Sequence, residues 1–352
     1  MTLSRVLSGR ADVLAGYYGF HNFGDDLFRE VLTTALAAED WARPIVSNAG
    51  DGRLDKLTRN VYAVRNLGRA RSLTLGGGSI LGARPPLSMR HLEMVASARG
   101  RISYCAIGVG VMEGKSIPPN RIIAQMSWVG LRSYSEYQEL AAAHPQVTYS
   151  SDIAYAARRL LPVDPMGVGS NIVVIPAAIG ELGRRAHDAA FLSDWLSTSV
   201  VNQASPSETV TVVLMQPSNA EDSAICAKVA SALRQHGLSV TTVAHRDPRE
   251  TLAIIAASRL VLSDRLHGAI AAHIYDVPFR LSKHHKKCID FLTDIGHPDS
   301  GEEVSYVGPD AQGRLETVSA WAQTQGPHRQ AHEDISTNAI EAWIAHLRQR
   351  SL

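Results

Sequence analysis

Between residues 259 and 277 the hydrophobic period of this chain changes in mid-segment. Arg259-Leu260-Val261-Leu262-Ser263 is a short apolar run, and Leu266, Ile270, Ile274 and Val277 follow at helical spacing. The first pattern reads as a buried strand and the second as a helix. The same handover recurs along the chain, and strands that alternate with helices in this way close as parallel sheets with helices on both faces. In the first half the pattern predicts strands near 11–16, 44–47, 60–64, 71–75, 101–107 and 128–132, with helices near 25–38, 87–99, 119–127 and 134–143. In the second half it predicts strands at 171–176, 209–215, 238–244, 259–263 and 278–281, and helices at 186–200, 221–236, 248–258, 265–275 and 287–295. Asp247 before Pro248 is a helix opening, a capping carboxylate followed by a residue that lacks the donor a first turn cannot use.

Residues 161–170 carry two prolines and two glycines, break the alternation and read as a linker. The length agrees, since 352 residues exceed one ordinary core. The expected class is α/β: a Rossmann-like domain over 1–165, a second over 166–300, and a tail over 301–352. The tail's helix near 335–349, with Ile335, Ile340, Trp343, Ile344 and Leu347 on one stripe, is expected to pack back on the body. The two doubly wound domains are expected to face each other across a cleft lined by the loops that follow their strands.

Bulk properties exclude several classes. Lys+Arg 35 against Asp+Glu 34 leaves a formal charge of +1, which makes no case for nucleic acid. Cys105, Cys226 and Cys288 are far apart and read as reduced core thiols. No apolar run is long enough to span a membrane and no signal-peptide pattern is present, so a cytoplasmic protein is expected. P-loop, H-E-x-x-H and G-x-S-x-G motifs are absent.

The change of period at Asp264–Arg265 places a helix start, with its unpaired backbone N–H groups, beside a cation and an imidazole. That is an anion site in which Arg265 supplies a bidentate fork and His267 a proton. The alternative is that Arg265 pairs with Asp264 or another carboxylate and that His267 is an ordinary first-turn histidine. Lys286 and Lys287 follow the next strand. Arg132 ends another, where it suits an anion or an exposed surface equally. Leu75-Gly76-Gly77-Gly78-Ser79 lets a ligand approach the backbone closely. The loop Gly16-Tyr17-Tyr18-Gly19-Phe20-His21-Asn22-Phe23-Gly24-Asp25-Asp26 is not G-x-G-x-x-G, and its acidic end repels a pyrophosphate. Asn22 and Asp25 there can bond sugar hydroxyls while Tyr17, Tyr18 or Phe20 stacks on a pyranose; a plain turn with Asp25 as cap is the competing interpretation.

Taken together, the 16–25 loop, Leu-Gly-Gly-Gly-Ser at 75–79, Leu-Arg-x-x-Ser at 131–135 and Arg-Leu-His-Gly-Ala at 265–269 resemble the polysaccharide pyruvyl transferase family. Val277-Pro278 and then Lys286 and Lys287 ahead of Phe291-Leu292 continue the resemblance, which covers residues 11–296. Ser133 departs from it, because the family usually has an acidic residue after the arginine. The resemblance implies two Rossmann units similar to the B-type glycosyltransferases and transfer of a pyruvyl group from phosphoenolpyruvate to two hydroxyls of a sugar, giving a cyclic ketal. His267 is then the acid and Arg265 its partner. Arg132, Arg265, Lys286, Lys287 and the backbone of Gly77 and Gly78 hold phosphoenolpyruvate, and Tyr18, Asn22 and Asp25 hold the acceptor. No metal or cofactor enters, phosphoenolpyruvate being the donor substrate. A lipid-linked acceptor would bring the protein to the inner face of a membrane, and a homo-oligomer is compatible with all of this. Two rivals stand beside it. One is a glycosyltransferase or epimerase acting on a nucleotide sugar, with Glu181, Glu208 or Asp247 holding a ribose. The other is a saccharide-binding protein without turnover.

Overall fold

All five residues of Ala11–Ala15 (β1) are buried, so this strand needs cover on both faces, a condition that parallel sheets meet. The computed structural model describes residues 11–42, 44–47, 70–81, 102–111, 119–164, 171–178, 208–283, 285–297, 304–307 and 315–349, with residues 200 and 204. After β1 come Phe23–Ala37 (α1), Pro44–Ser47 (β2), Ala70–Gly76 (β3), Ser79–Leu81 (β4), Ser103–Val111 (β5), Pro119–Ile123 (α2), Trp128–Leu131 (β6), Tyr134–Ala141 (α3) and Val147–Tyr149 (β7). A single 3-10 turn, Ile153–Ala156, leads into Ala157–Leu160 (α4). These strands form one sheet in the order β2-β1-β3-β5-β6-β7, with β4 on β5 and every pairing parallel. Its core gathers Val13, Leu73, Leu75, Ala106, Val129 and Leu131.

The second sheet starts at Asn171–Ile175 (β8) and continues through Thr209–Leu214 (β9), Ala220–Gln235 (α5), Ser239–Ala244 (β10), Pro248–Ala256 (α6), Ser258–Ser263 (β11), Leu266–Ile274 (α7), Phe279–Ser282 (β12), Lys286–Asp294 (α8) and Val304–Val307 (β13). Its order is β10-β9-β8-β11-β12-β13, parallel except for β13, which runs antiparallel to β12. Numbered along its own segment this is 3-2-1-4-5-6, the doubly wound order in which the chain reverses direction between the first and fourth strands. Val210, Val212, Leu260 and Leu262 pack against Val229 and Leu233 of α5. Asp247 caps α6 through bonds from Arg249 N and Glu250 N, as its sequence predicts.

The chain divides into two compact units. The first holds residues up to Phe20, Gly24 to Leu161 and His332 onward; the second holds His21–Phe23 and Pro162–Ala331. The last helix, Leu315–Gln349 (α9), starts about twenty residues before the position its apolar stripe suggested and belongs to both, its first part to the second unit and its end to the first. A separate tail beginning at 301 is therefore not how the chain is partitioned. In the first unit Trp343 is fully buried and its indole donates to Thr74 Oγ1 at 3.1 Å, while His332 Nδ1 bonds Ser151 Oγ at 2.8 Å. Four short elements, β4, β7, α4 and β13, and the 3-10 turn before α4 have no counterpart among the predicted ones. The strand expected at 60–64 and the helices expected at 87–99 and 186–200 lie outside the described residues. Cys105, Cys226 and Cys288 are buried free thiols. Among the described residues no helix is long and apolar enough to cross a membrane.

Candidate active site

In the second unit three strands end level, because Ser263 is in register with Ile175 of β8 on one side and Leu281 of β12 on the other. The gap between β8 and β11 is this sheet's switch point, where ligands of open parallel sheets bind. Ser263 makes the turn there: its hydroxyl donates to Arg265 O at 2.6 Å and accepts from Arg265 N at 3.0 Å. Arg265 stays extended as the cap residue, so α7 begins at Leu266 and half-buried His267 falls in its first turn. Gly268 is required, since a Cβ on it would lie 2.7 Å from Ile175 Cδ1.

The guanidinium of Arg265 pairs with Asp222, the third residue of α5, and its Nη2 also donates to Gln216 Oε1 at 3.1 Å. Asp222 is buried and takes the N–H of Ala178 on its other oxygen at 2.7 Å. The neighbouring N–H, that of Ala177, reaches Asp264 at 3.4 Å. Burial pushes the Asp264 carboxyl up to about 8, against the downward pull of its hydrogen bonds from Ala177 and Ser282 and of the Arg265 charge. Asp264 thus keeps its proton more readily than an ordinary aspartate does, beside the Arg265–Asp222 pair. The alternative expected for Arg265, a pair with Asp264 or another carboxylate, is met by Asp222. The sequence signal for Asp222 was modest, an Asn219 cap that accepts from Glu221 N and Asp222 N and so fixes the first turn of α5.

Lys286 and Lys287 open α8 beyond the adjoining β12. Lys286 is exposed and its ammonium meets Asp290 at 2.6 Å, one turn along its own helix; Lys287 is half-buried.

The first unit has its own switch point, between β1 and β3, and the two glycine-containing loops meet there. Tyr18 is fully buried and its hydroxyl donates to Gly76 O at 2.8 Å, so it braces the glycine turn and offers no face to a sugar. Gly77 and Gly78 both have positive φ, 69° and 79°. The N–H of Gly77 donates to Ile107 O at 2.8 Å and so is not offered to a ligand. Gly78 opens toward Asp25, whose Oδ1 would lie 3.6 Å from a Cβ there. Asp25 is half-buried in the first turn of α1, and after burial its charge is what raises the Tyr17 hydroxyl above the ordinary phenol range. The carboxylate makes this turn unsuited to phosphate and suited to hydroxyls. Asn22 is half-buried and belongs to the second unit, where its neighbour Phe23 donates its N–H to Met215 O at 3.0 Å and sets its ring edge-on to His245.

Arg132 follows β6 in the first unit. Its Nη2 donates to Ser79 Oγ at 3.0 Å, Asp152 stands 3.9 Å from Nη1, and a Cβ on Gly110 would come within 2.9 Å of Nη2. Ser133, where an acidic residue was expected, is buried with its hydroxyl 2.9 Å from Ser135 Oγ. Glu136 instead supplies the carboxylate of this turn, accepting Val111 N on both oxygens at 3.1 Å. The donor set expected from the sequence is thus divided: Arg132, Gly77 and Gly78 in the first unit, Arg265, His267, Lys286 and Lys287 in the second.

The carboxylates considered for a ribose are engaged otherwise. Glu208 is bonded to Arg259 through both oxygens, Asp247 caps α6, and Glu181 lies outside the described residues. Among the described residues no group of three or more His, Cys, Asp or Glu forms a metal site.

Comparison with solved structures returns the same architecture. UDP-GlcNAc 2-epimerase from Neisseria meningitidis bound to UDP-GlcNAc superposes with a TM-score of 0.58 at 10% identity, over 96% of this chain and 100% of that one. S. aureus MnaA with UDP gives 0.57 at 10% identity over 96% of each chain. A putative UDP-N-acetylglucosamine 2-epimerase from Listeria monocytogenes gives 0.56 at 9%, over 93% of this chain and 91% of that one. Identities this low carry the fold alone, that of two Rossmann-like units similar to the B-type glycosyltransferases. No curated protein matches the chain. The sequence profile of the polysaccharide pyruvyl transferases, however, matches residues 22–284, from the end of the first glycine loop past α7 to the foot of α8, and the chain belongs to the polysaccharide pyruvyl transferase family.

Proposed function

We propose that the protein moves the pyruvyl group of phosphoenolpyruvate onto two hydroxyls of a saccharide. The observation that carries the reading is Arg265, held extended at a helix start on a sheet switch point with His267 in the following turn. His267, as imidazolium, protonates the methylene carbon of the enol while one sugar hydroxyl adds to the central carbon and gives up its proton. Phosphate leaves, and the second hydroxyl closes the ketal and releases the second proton. The products are the pyruvyl ketal and inorganic phosphate, with the imidazolium restored. Arg265 and the first N–H groups of α7 hold the donor's anionic groups.

A compact donor also suits the site better than a nucleotide diphosphate. The two strand-end N–H groups on which a diphosphate could rest, those of Ala177 and Ala178, are engaged by Asp264 and Asp222. Asp25 and the open side of Gly78 are assigned to the acceptor.

The test is phosphate release from phosphoenolpyruvate with galactosides, glucosides and mannosides, run beside His267→Ala, with mass spectrometry for the adduct. Acceptor-dependent release lost in the variant supports the reading. Absence of an adduct together with binding of a nucleotide sugar would replace it with the glycosyltransferase one.

A further inference from the structure

Tyr134 is the one large hydrophobic side chain that is exposed among the described residues, at 46%. It opens α3 directly after Arg132 and Ser133. Its ring lies 5.3 Å from that of Tyr149 and 5.9 Å from that of Tyr137, and those two are 6.1 Å apart, so the three rings form one closed cluster. Tyr149 ends β7, the edge strand, which sets the cluster at the carboxyl edge of the first unit's sheet, the edge that carries Asp25, Gly78 and Arg132. Tyr137 packs on the core of the first unit beside Leu140, but Tyr134 and Tyr149 do not belong to that core, and Tyr134 is left exposed.

The occupant can be argued from the chemistry of the patch. Tyrosine has an apolar face for the C–H side of a pyranose and a hydroxyl for its rim. Ser135, Gln138 and Glu139 of the same helix are exposed polar residues, and an aromatic island this small falls far short of the area a stable protein interface needs. A sugar ring fits both the size and the polar setting.

Its place along the edge says which ring. Strands lie about 4.8 Å apart, so three spacings separate the end of β3, at the glycine turn, from the end of β7, roughly 14 Å. That is beyond the reach of a single pyranose. We infer that Tyr134, Tyr137 and Tyr149 form an outer saccharide subsite, and that the acceptor is a glycan chain of which one ring stacks there while another, further along the chain than its immediate neighbour, is at the Asp25 end. The assignment rests on the pyruvyl-transfer reading for what happens at the inner ring.

The experiment is saturation-transfer NMR and titration of the full chain with methyl glycosides of galactose, glucose and mannose and with the matching trisaccharides, for the wild type, Tyr134→Ala and Tyr134→Trp. At least one trisaccharide should bind about tenfold more tightly than its methyl glycoside. Tyr134→Ala should remove most of that gain and Tyr134→Trp should keep it. Circular dichroism confirms that the variants fold. Equal affinity for one and three rings, indifference to Tyr134→Ala, or no binding by any saccharide overturns the subsite. Phosphate release is read in parallel. Transfer that ignores Tyr134 removes the subsite and leaves the reaction, whereas Tyr134-dependent binding without transfer removes the reaction and leaves the subsite.

Discussion

Asp222 holds Arg265 with one carboxylate oxygen and the N–H of Ala178 with the other, so a single buried side chain sets both the cation and the strand-end loop beside it. Asp222→Ala should lower stability by about 3 kcal/mol, because a buried ion pair loses one partner. It should also raise KM for phosphoenolpyruvate at least tenfold, since the guanidinium loses its orientation. Asp222→Asn leaves one acceptor oxygen where two N–H donors bond now, so it should keep part of the stability and raise KM less than Asp222→Ala does. Urea denaturation and phosphate-release kinetics read both effects; equal KM in all three proteins would detach Asp222 from the site.

Asp264 predicts an inverted pH dependence. Its carboxyl keeps a proton in the native protein up to about pH 8, whereas the unfolded chain releases it near the ordinary aspartate value. The native state therefore binds more protons across that window. Its contribution to stability is complete below about pH 4 and lost as pH rises to about 8, at up to about 1.4 kcal/mol per pH unit. Asp264→Asn should flatten this slope and be the more stable protein at pH 8. Parallel stability curves from pH 5 to 9 would contradict the assignment.

Gly77 and Gly78 share a backbone conformation but not their surroundings. A Cβ on Gly77 would run into the ring of Phe28, while one on Gly78 meets Asp25 and Ile80 at ordinary distances. Gly77→Ala should cost about 3 kcal/mol, from strain plus overpacking, and Gly78→Ala about 1 kcal/mol, from strain alone. The milder variant should nevertheless raise KM for the saccharide, because its methyl group enters the space in front of Asp25. Thermal melts and acceptor kinetics separate the two effects.

Trp343 should be the most sensitive residue of α9. It is fully buried and its indole is bonded to Thr74. Trp343→Ala should cost roughly 4 kcal/mol and Trp343→Phe distinctly less, measured by chemical denaturation.

Most of the fold was legible because its strands are buried on both faces and so stand out as unbroken apolar runs. Asn171–Ile175 and Ser258–Ser263 each fall within one or two residues of their predicted bounds. β4 and β7 escaped, being three residues long and too short for a period to be read, while β13 escaped although β2, β6 and β12 are no longer than it. At the site, Arg265 and His267 were legible from the change of period alone. Asp222 was not, because its link to Arg265 spans 43 residues and depends on α5 and α7 starting at neighbouring strand ends. Tyr18 was read as a sugar platform and is a buried brace, since an aromatic residue in a glycine loop has the same local pattern in either role.

The division of α9 between the units bears on how the molecule is made. The first unit begins at the amino end of the chain, yet its core includes Trp343 and Leu347, and Ser151 finds its partner in His332. During synthesis its sheet must wait, unplugged, while the whole second unit is translated, and it closes only when the last turns of α9 emerge. The usual order of amino-terminal domain first is reversed here. The half that carries the proposed acceptor site is completed after the other half has been translated.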